Sequence, residues 1–482
     1  MRRSTWPSLI LLTVGLVGCP DDPVNRSPHI FPAPPDTAPA YERYVYDLAC
    51  ADPDGDMVTL TRGAGDTCAG DLIDHGNRTA TYGFDPDPRL AGTDCVVEVV
   101  CGDGELQDTA QATVTLTLPT DAEDLAFAPF ELWAEPIADY ISEAATALQT
   151  WDFSWGIHDL AVHDHRLYIG YGDATLNVGS LVPIEIRRWS TPDPGAIQSA
   201  FVTDEEQIDS FRQIDGRLLV PGVDATEDGL MGQVYTLEAT GWEKDRTLRW
   251  AWHVQDVTLQ GDDLVACGSG GTIDDYNAGT VNAYLYRRTP DATGFDVEVS
   301  IPHPQPPGDH RLTKLLVVGS TLYATGYWSD YSVSYATAYR HNGTGLEPWD
   351  DMASFYVTET LSVQADLGLV FGVAIDASLR WAARAVTPTG VTEALALSGL
   401  TVLNADPLPD GRALILAREG DAYPSPADGP WDVVVGVTSD GQDLTELSRQ
   451  SFDVVPRSIA FWRRSLYLGL DDGTVWRAWG TP

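Results

Sequence analysis

Apolar and polar residues alternate with a period of two along much of the chain, a pattern that predicts half-buried antiparallel strands. Between residues 40 and 118 the clearest runs are Tyr44 to Cys50, Cys95 to Cys101 and Ala112 to Leu118. Turn residues separate these runs. The segment is therefore predicted to be a small β-sandwich.

From residue 119 onward, a unit of two apolar strands joined by a tight polar turn recurs about every 50 residues. The seven copies end at Gly170, Gly222, Gly268, Gly326, Gly372, Ala417 and Gly469. A third strand follows most copies, as at 281–287 and 431–437, and many copies show a fourth. Seven such units resemble the blades of a seven-bladed β-propeller. The signatures of the tryptophan-aspartate and kelch families do not occur, so the resemblance is to the architecture.

The seventh copy ends after its third strand, at 474–479, close to the C-terminus. Its outer strand must therefore come from elsewhere, and the apolar segment 126–134 is the predicted donor. Joining the two ends of the propeller in this way removes exposed sheet edges. We thus expect a propeller that spans residues 119–482 and is closed by its own N-terminal strand.

Four cysteines cluster in the predicted sandwich, which is typical of disulfides in an oxidising compartment. Cys50 and Cys101 both end inward-facing runs, so we pair them across the core and pair Cys68 with Cys95. Four cysteines allow three pairings, and the sequence leaves the other two open. The predicted fold class is all-β: a small disulfide-stapled β-sandwich at 40–118 followed by the seven-bladed propeller.

The N-terminus has the parts of an export signal. Arg2 and Arg3 precede an apolar run at 9–17 that is too short to cross a bilayer of about 30 Å. The following Leu-Val-Gly-Cys at 16–19 resembles the lipobox of bacterial lipoproteins, which implies cleavage before Cys19 and lipidation of that residue. Residues 1–18 are then the signal peptide and 19–39 a proline-rich tether. We expect a protein of the cell envelope that is bound to a membrane through its lipid, facing either the periplasm or the cell surface.

The composition narrows the choice of partners. The formal net charge of −42 excludes nucleic acid, which requires a basic surface, and disfavours adsorption to anionic lipid. With nucleic acid excluded, the expected partners are the membrane, through the lipid, and a glycan or a protein of the envelope. The hydrophobic content of 43% shows separately that the chain can form packed cores.

One turn of the sandwich carries candidate metal ligands. The segments 44–56, 102–104 and 111–116 resemble bacterial cadherin-like and immunoglobulin-like repeats, in which an aspartate-rich turn sometimes binds calcium. The resemblance implies calcium as a possible cofactor. The ligands would be Asp52, Asp54, Asp56 and Asp103. The alternative is a turn in which these side chains accept hydrogen bonds from the backbone.

In a propeller, the loops that precede the innermost strands and the loops that join second to third strands meet on one face. The sequence concentrates acids, histidines and aromatic residues in these loops. The candidate ligand-binding residues are His158, Asp159, Tyr171, Asp173, Asp209, Asp224, His253, Asp256, Tyr276, Trp328, Tyr331 and Arg457. Aromatic rings stack on sugars while carboxylates accept their hydroxyl hydrogens. The alternatives are structural histidines, rings that pack the loops and acids that only solvate the surface.

Catalytic motifs are lacking. The sequence has no Gly-x-Ser-x-Gly, no His-Glu-x-x-His and no phosphate-binding loop. Cys267 lies in an apolar strand and is interpreted as a buried thiol. The predicted function is non-enzymatic binding of a glycan or another envelope or extracellular ligand on one propeller face. The alternative is an extracellular polysaccharide hydrolase or lyase that uses carboxylates and histidines of the same face.

Overall fold

The computed structural model describes residues 25–39, 43–86, 93–117, 122–151, 153–214, 216–227, 230–375, 379–408, 410–420 and 429–481. The chain divides into two compact units, with the boundary after Thr117. The signal segment and Cys19 lie outside the described residues. Over the described ranges, no helix has both the length and the apolar character needed to span a membrane.

The first unit is a β-sandwich of two four-stranded sheets. Its strands are β1 (His29–Phe31), β2 (Thr37–Pro39), β3 (Tyr44–Ala51), β4 (Thr59–Arg62), β5 (Asp71–Asp74), β6 (Thr79–Phe84), β7 (Asp94–Gly102) and β8 (Gln107–Thr117). One sheet has the order β1-β3-β6-β5 and the other β2-β8-β7-β4. Tyr44, Tyr46, Leu48 and Cys50 are all buried along β3, as their alternation predicts.

Two disulfides cross-link this unit. Cys50 of β3 is bonded to Cys101 of β7, so the bond joins the two sheets through the core. Cys68 is bonded to Cys95. Both pairings chosen from the sequence are confirmed.

The expected tether is wrong in its last part. Residues 29–31 pair with β3 in antiparallel fashion, and residues 37–39 pair with β8 in parallel. Ile30 and Ala38 are buried in the sandwich core. Proline tolerates edge strands, where its missing N–H is not needed, so a proline-rich segment can still supply edge strands to both sheets.

In the described residues, the second unit forms seven blades, of which six have four strands and the seventh has five. Blades 1 to 3 are β11 (Asp159–His163), β12 (Arg166–Gly170), β13 (Glu185–Trp189), β14 (Gln198–Val202); β15 (Arg212–Ile214), β16 (Arg217–Pro221), β17 (Met231–Glu238), β18 (Gly241–Arg249); and β19 (Ala251–Gln260), β20 (Asp263–Gly270), β21 (Thr280–Arg288), β22 (Asp296–Ile301). Blades 4 and 5 are β23 (Gly308–Val318), β24 (Thr321–Ser329), β25 (Ser334–His341), β26 (Leu346–Pro348); and β27 (Phe355–Gln364), β28 (Leu367–Ala374), β29 (Arg380–Thr387), β30 (Gly390–Glu393). Blade 6 is β31 (Leu400–Pro407), β32 (Ala413–Glu419), β33 (Trp431–Thr438) and β34 (Thr445–Phe452).

Blade 7 closes the ring with strands from both ends of the unit. Its C-terminal strands are β35 (Pro456–Trp462), β36 (Ser465–Leu470) and β37 (Val475–Thr481). The outer strand β10 (Glu131–Ala134) pairs with β37, as does the two-residue strand β9 (Ala126–Phe127). The strand donor predicted at 126–134 is therefore confirmed.

The repeated glycines allow the two innermost strands of a blade to approach closely. A Cβ atom on Gly268 would lie 2.1 Å from the carbonyl oxygen of His253, and one on Gly326 would lie 1.9 Å from that of Arg311. Both contacts are far inside van der Waals distance. They occur next to β-bulges in β19 and β23, which turn the following side chain toward the propeller axis.

In the part of the chain that the structure describes, two α-helices precede or interrupt the blades. Helix α1 (Ala138–Leu148) lies between β10 and blade 1 and buries Tyr140, Ala144 and Ala145. Helix α2 (Ile273–Asn277) lies in the loop between β20 and β21. We did not predict α1 from the sequence, although its apolar residues recur at helical spacing.

Candidate functional site

A cavity of about 840 Å³ lies on the propeller axis and is lined by residues of all seven inner strands. Its volume is in the range of small-molecule sites. Each inner strand begins on the face where the loops between second and third strands also lie. We call this the top face.

Four charged side chains form a connected network in the cavity, which we call the charged network: Arg212, Asp256, Lys314 and Glu359. Arg212 donates from Nε to Asp256 Oδ1 at 2.6 Å and from Nη2 to Glu359 Oε1 at 3.1 Å. Lys314 Nζ donates to Glu359 Oε2 at 2.9 Å. Burial alone would raise the pKa of Glu359, but Lys314 and Arg212 hold it down at about 2. The network contains two cations and two anions, so it neutralises itself.

Asp159, Asp209 and Asp406 line the same cavity outside this network. Asp159 accepts hydrogen bonds from the backbone N–H groups of Phe211 at 2.6 Å and Leu160 at 2.9 Å, and burial raises its pKa to about 7. The carboxyl of Asp406 has no hydrogen-bond or ion-pair partner among the described residues, and it reaches the cavity. Burial, followed by the charge of Asp159, raises the pKa of Asp406 well above its usual value.

Asp159 and Asp256 also have a structural role. Asp159 Oδ2 accepts from Phe211 of blade 2, and Asp256 Oδ2 accepts from the N–H of Leu315 in blade 4 at 2.8 Å. Asn404 Oδ1 accepts in the same way from Ile459 of blade 7 at 3.2 Å. These side chains connect neighbouring inner strands, so the ring of polar residues stabilises the propeller as well as lining its cavity.

On the top face, three exposed tyrosines project from blades 3 and 4. We call Tyr276, Tyr331 and Tyr335 the tyrosine platform; they are 69%, 65% and 42% exposed. Tyr335 stacks on Trp328 with ring centroids 4.0 Å apart and planes 17° apart, and Tyr276 meets Trp252 edge to face at 5.5 Å. Half-buried tryptophans thus support two of the three rings from below.

Tyr331 is held outward by a tight turn. Its φ of +66° is in the left-handed region that tyrosine rarely adopts. Asp330 Oδ1 accepts from the Ser332 hydroxyl at 2.6 Å and from the backbone N–H groups of Val333 at 2.9 Å and Ser332 at 3.0 Å. These bonds, the hydroxyl bond most of all, lower the pKa of Asp330 to about 2. The Tyr331 hydroxyl donates to the oxygens of Gly279 at 3.1 Å or Asp309 at 3.2 Å. The turn and the hydroxyl together fix the ring before any ligand binds.

A second polar cluster on the top face joins blades 2 and 3. His253 Nδ1 lies 2.8 Å from the Val223 oxygen and 3.8 Å from Asp224 Oδ1. Burial, and then the charge of Arg311, lowers the pKa of His253 to about 4. Burial, and then the charge of Glu206, raises the pKa of Asp224 to about 6. At neutral pH the imidazole is therefore uncharged, and no ion pair forms.

Glu205 lies directly behind this cluster and is fully buried. Its Oε2 accepts from the backbone N–H of Asp224 at 3.1 Å, and its Oε1 accepts from Gln233 Nε2 at 2.5 Å. Burial raises its pKa to about 8. The side chain is therefore mostly protonated at neutral pH.

Two predicted ligand-binding residues are buried and hold a loop instead. Tyr171 is 0% exposed; its ring lies 5.0 Å from Tyr140 of α1, and its hydroxyl accepts from the N–H of Glu185. Asp173 is 1% exposed and accepts from the N–H groups of Ser154 and Thr175. Neither offers a surface to a ligand, so the prediction is corrected at these positions. The helix that covers Tyr171 is the reason.

The remaining predicted residues lie at the mouth of the cavity or on the platform. His158 Nε2 lies 2.9 Å from the Gly172 oxygen, and Gln207 donates to Asp209. Arg457 is exposed and forms a two-bond ion pair with Asp471 at 2.7 and 3.0 Å. His158, Asp209 and Arg457 line the cavity together with Asp159 and Asp256.

The calcium prediction in the sandwich is not supported. Asp54 is bound by Arg26 at 2.7 Å, and Asp52 Oδ1 accepts from the backbone N–H groups of Asp54 and Asp56. Asp103 Oδ1 accepts from the N–H groups of Glu105 and Leu106, both at 2.7 Å. Across the described ranges, no three or more His, Cys, Asp or Glu residues are grouped so that they could hold a metal ion. These acids act as turn-forming residues, which was the alternative interpretation.

Sequence reasoning missed Arg212, Glu359 and Asp406 of the cavity and Tyr335 of the tyrosine platform. Lys314, Glu359 and Asn404 each follow the bulge of an inner strand, at the position of Asp256. A polar residue at the same place in successive apolar repeats was the available signal. Cys267, predicted to be a buried thiol, is fully buried, and burial raises its pKa.

Comparison with profiles of known protein families gives no match, and no curated protein is significantly similar in sequence. Several solved structures superpose on parts of the chain. A catalytically inactive virginiamycin B lyase from Staphylococcus aureus, with quinupristin, is 10% identical, with TM-score 0.40 over 68% of this chain and 96% of that one. The Pyrococcus horikoshii acylaminoacyl peptidase is 12% identical, with TM-score 0.43 over 70% and 51%. TolB from Acinetobacter baumannii is 9% identical, with TM-score 0.32 over 66% and 78%.

Proposed function

We propose that this chain is a lipid-anchored binding protein of the cell envelope that recognises a glycan through the tyrosine platform. The observation that carries the proposal is three exposed tyrosine rings on blades 3 and 4, two of which are supported by tryptophans. Large exposed apolar surfaces on soluble proteins mark interaction sites. Tyrosine suits sugars because its ring packs on C–H groups while its hydroxyl remains polar.

The polar groups around the platform complement such a ligand. Asp309 accepts from the Tyr331 hydroxyl and is also bound by Arg311 at 2.9 Å, so acceptor and donor groups lie within one sugar ring of the platform. A fixed platform also reduces the entropy lost on binding. Since most contacts come from ring faces and neutral hydrogen bonds, the ligand need not be charged.

In this proposal, Cys19 carries the lipid and the sandwich acts as a cadherin-like or immunoglobulin-like spacer. Metabolic labelling with an alkyne fatty acid tests the anchor: label should enter the wild-type protein and not the Cys19→Ser variant. Equal labelling of both would contradict it. Whether the protein faces the periplasm or the cell surface follows from protease accessibility on intact cells.

The glycan assignment is tested on an array of bacterial and environmental glycans, probed with the labelled purified protein. We expect at least one glycan class to be bound by the wild type. Binding should be lost when Tyr276, Tyr331 and Tyr335 are together replaced by alanine. Trp479→Ala is the matched control, because this ring is also 53% exposed but belongs to blade 7. No binding by the wild type, or equal binding by the triple variant, would overturn the proposal.

A hydrolase or lyase is the second candidate, and one observation favours it. Between about pH 4 and pH 6, Asp224 is mostly protonated and His253, 3.8 Å away, is mostly uncharged, so the two could act as general acid and general base. Turnover on a polysaccharide panel tests this directly. Activity that is lost in Asp224→Asn and in His253→Ala would support catalysis, and activity that survives both changes would rule out this site.

A further inference from the structure

The axial cavity has N–H donors and carboxyl groups on opposite sides of the ring. On the blade 4 side, Lys314 uses one of its three N–H donors on Glu359 and has no other hydrogen bond to the described residues. On the side of blades 1 and 6, Asp406 is unpartnered among the described residues, and Asp159 accepts only backbone donors. The cavity therefore has free N–H donors on its blade 4 side and a free carboxyl group on the side of blades 1 and 6.

The lining also changes along the axis. Near the top face the inner strands contribute polar residues, such as Gln255, Thr313 and Thr358. Further along the same strands, Leu259, Val317 and Val363 add an apolar layer to a lining that there also contains Gln213, Ser362 and Gln364. A ligand that fills the cavity would thus meet charged groups in the middle and the side chains of this apolar layer beyond them.

We propose that this cavity binds a small zwitterion with an aliphatic side chain, such as an apolar amino acid or a dipeptide. Its ammonium group is held by Asp406 and Asp159, its carboxylate by Lys314, and its side chain by the apolar layer. The volume of about 840 Å³ admits a dipeptide. This site is separate from the tyrosine platform and does not depend on glycan binding.

The charge states of the cavity side chains agree with this arrangement. Burial raises the pKa of Asp159 to about 7 and also raises the pKa of Asp406, so a ligand ammonium would supply the positive charge that both carboxyls lack. The charged network is already neutral, because Asp256 and Glu359 balance the charges of Arg212 and Lys314. Ligand binding therefore adds contacts without breaking the network.

Isothermal titration calorimetry on the purified protein tests the proposal with L-leucine and L-leucyl-L-leucine as probes. Two analogues of leucine remove one charge each: isopentylamine lacks the carboxylate, and 4-methylpentanoate lacks the ammonium group. We expect at least one zwitterion to bind, and each analogue to bind at least about tenfold more weakly, since charge-assisted hydrogen bonds are lost. Failure of both zwitterions to bind at about 10 mM would overturn the proposal.

Two variants locate the site. Asp406→Asn and Lys314→Met should each weaken zwitterion binding by at least about tenfold. The control is Lys244→Met, because Lys244 is the other lysine of the chain and pairs with Asp204 and Glu227 outside the cavity. Circular dichroism of each variant verifies folding, and Asp406→Asn removes no described contact. Zwitterion binding that is unchanged in both cavity variants would refute the assignment, whatever the glycan array shows.

Discussion

Replacing Glu205 by glutamine should remove a large part of the pH dependence of propeller stability. The folded protein holds this carboxyl in a fully buried site with a pKa of about 8, against an ordinary value of 4.5 in the unfolded chain. Between these values the folded state keeps a proton that the unfolded state has lost. Stability must therefore fall as the pH rises through this window.

The size of the effect follows from the two pKa values. Each pKa unit corresponds to about 1.4 kcal/mol, so a rise from 4.5 to about 8 costs on the order of 5 kcal/mol once the folded state is deprotonated. The cost begins near pH 4.5 and is complete above pH 8. Glutamine has nearly the same shape and does not ionise, so it escapes this cost.

Urea unfolding at several pH values between 4.5 and 9 measures the effect. All tryptophans except Trp6 follow residue 118, so tryptophan fluorescence reports on the propeller without a contribution from the sandwich. The stability of Glu205→Gln relative to wild type should increase by several kcal/mol across this range. Glu143→Gln, at an exposed position of α1, is the control and should show no such trend. A constant difference between Glu205→Gln and wild type at all pH values would refute the reasoning.

Two further predictions concern stability. Glu359→Gln leaves two cations of the cavity without their shared anion and should destabilise the propeller by about 3 kcal/mol in urea unfolding. Glu347→Gln breaks an exposed ion pair and should lower the free energy of unfolding by less than about 1 kcal/mol. Equal losses of stability in the two variants would contradict a stabilising role of Glu359 in the charged network. Replacing Cys50 and Cys101 by serine opens a loop with a sequence separation of 51 and should destabilise the sandwich by about 4 kcal/mol. Calorimetry should show a lower midpoint temperature for the sandwich and an unchanged midpoint for the propeller. A shift of the propeller midpoint instead would contradict the conclusion that the two units unfold independently.

Much of the fold is visible in the sequence because the propeller repeats one local pattern. Apolar strands, tight turns and close-packed glycines such as Gly268 and Gly326 recur in register. The ring closure followed from the missing outer strand of the last repeat. The strands β1 and β2 were not predicted from the sequence. Each has only three residues, which is too short to show an alternating pattern, and each pairs with a strand that is not its neighbour in sequence.

The candidate site was predictable only in part, because exposure depends on neighbours that the pattern does not show. Tyr171 and Tyr331 occupy loops between the second and third strands of their blades, yet one is fully buried and the other 65% exposed. Helix α1 covers Tyr171 through Tyr140, whereas the turn at Asp330 pushes Tyr331 outward. In the cavity, Arg212 was not predicted because the inner strand of blade 2 has no bulge. Its charged residue therefore does not occupy the position after a bulge, where Asp256 lies in blade 3.

The most direct test of the central claim is the affinity of the tyrosine platform for the glycan that binds best on the array. Calorimetric titration of that glycan into wild type and Tyr335→Ala compares a complete platform with one that lacks the ring stacked on Trp328. We predict a saturable interaction with the wild type that is weakened at least about tenfold in the variant, as expected for a central aromatic contact. Equal affinity of the two proteins would contradict a glycan site on the tyrosine platform.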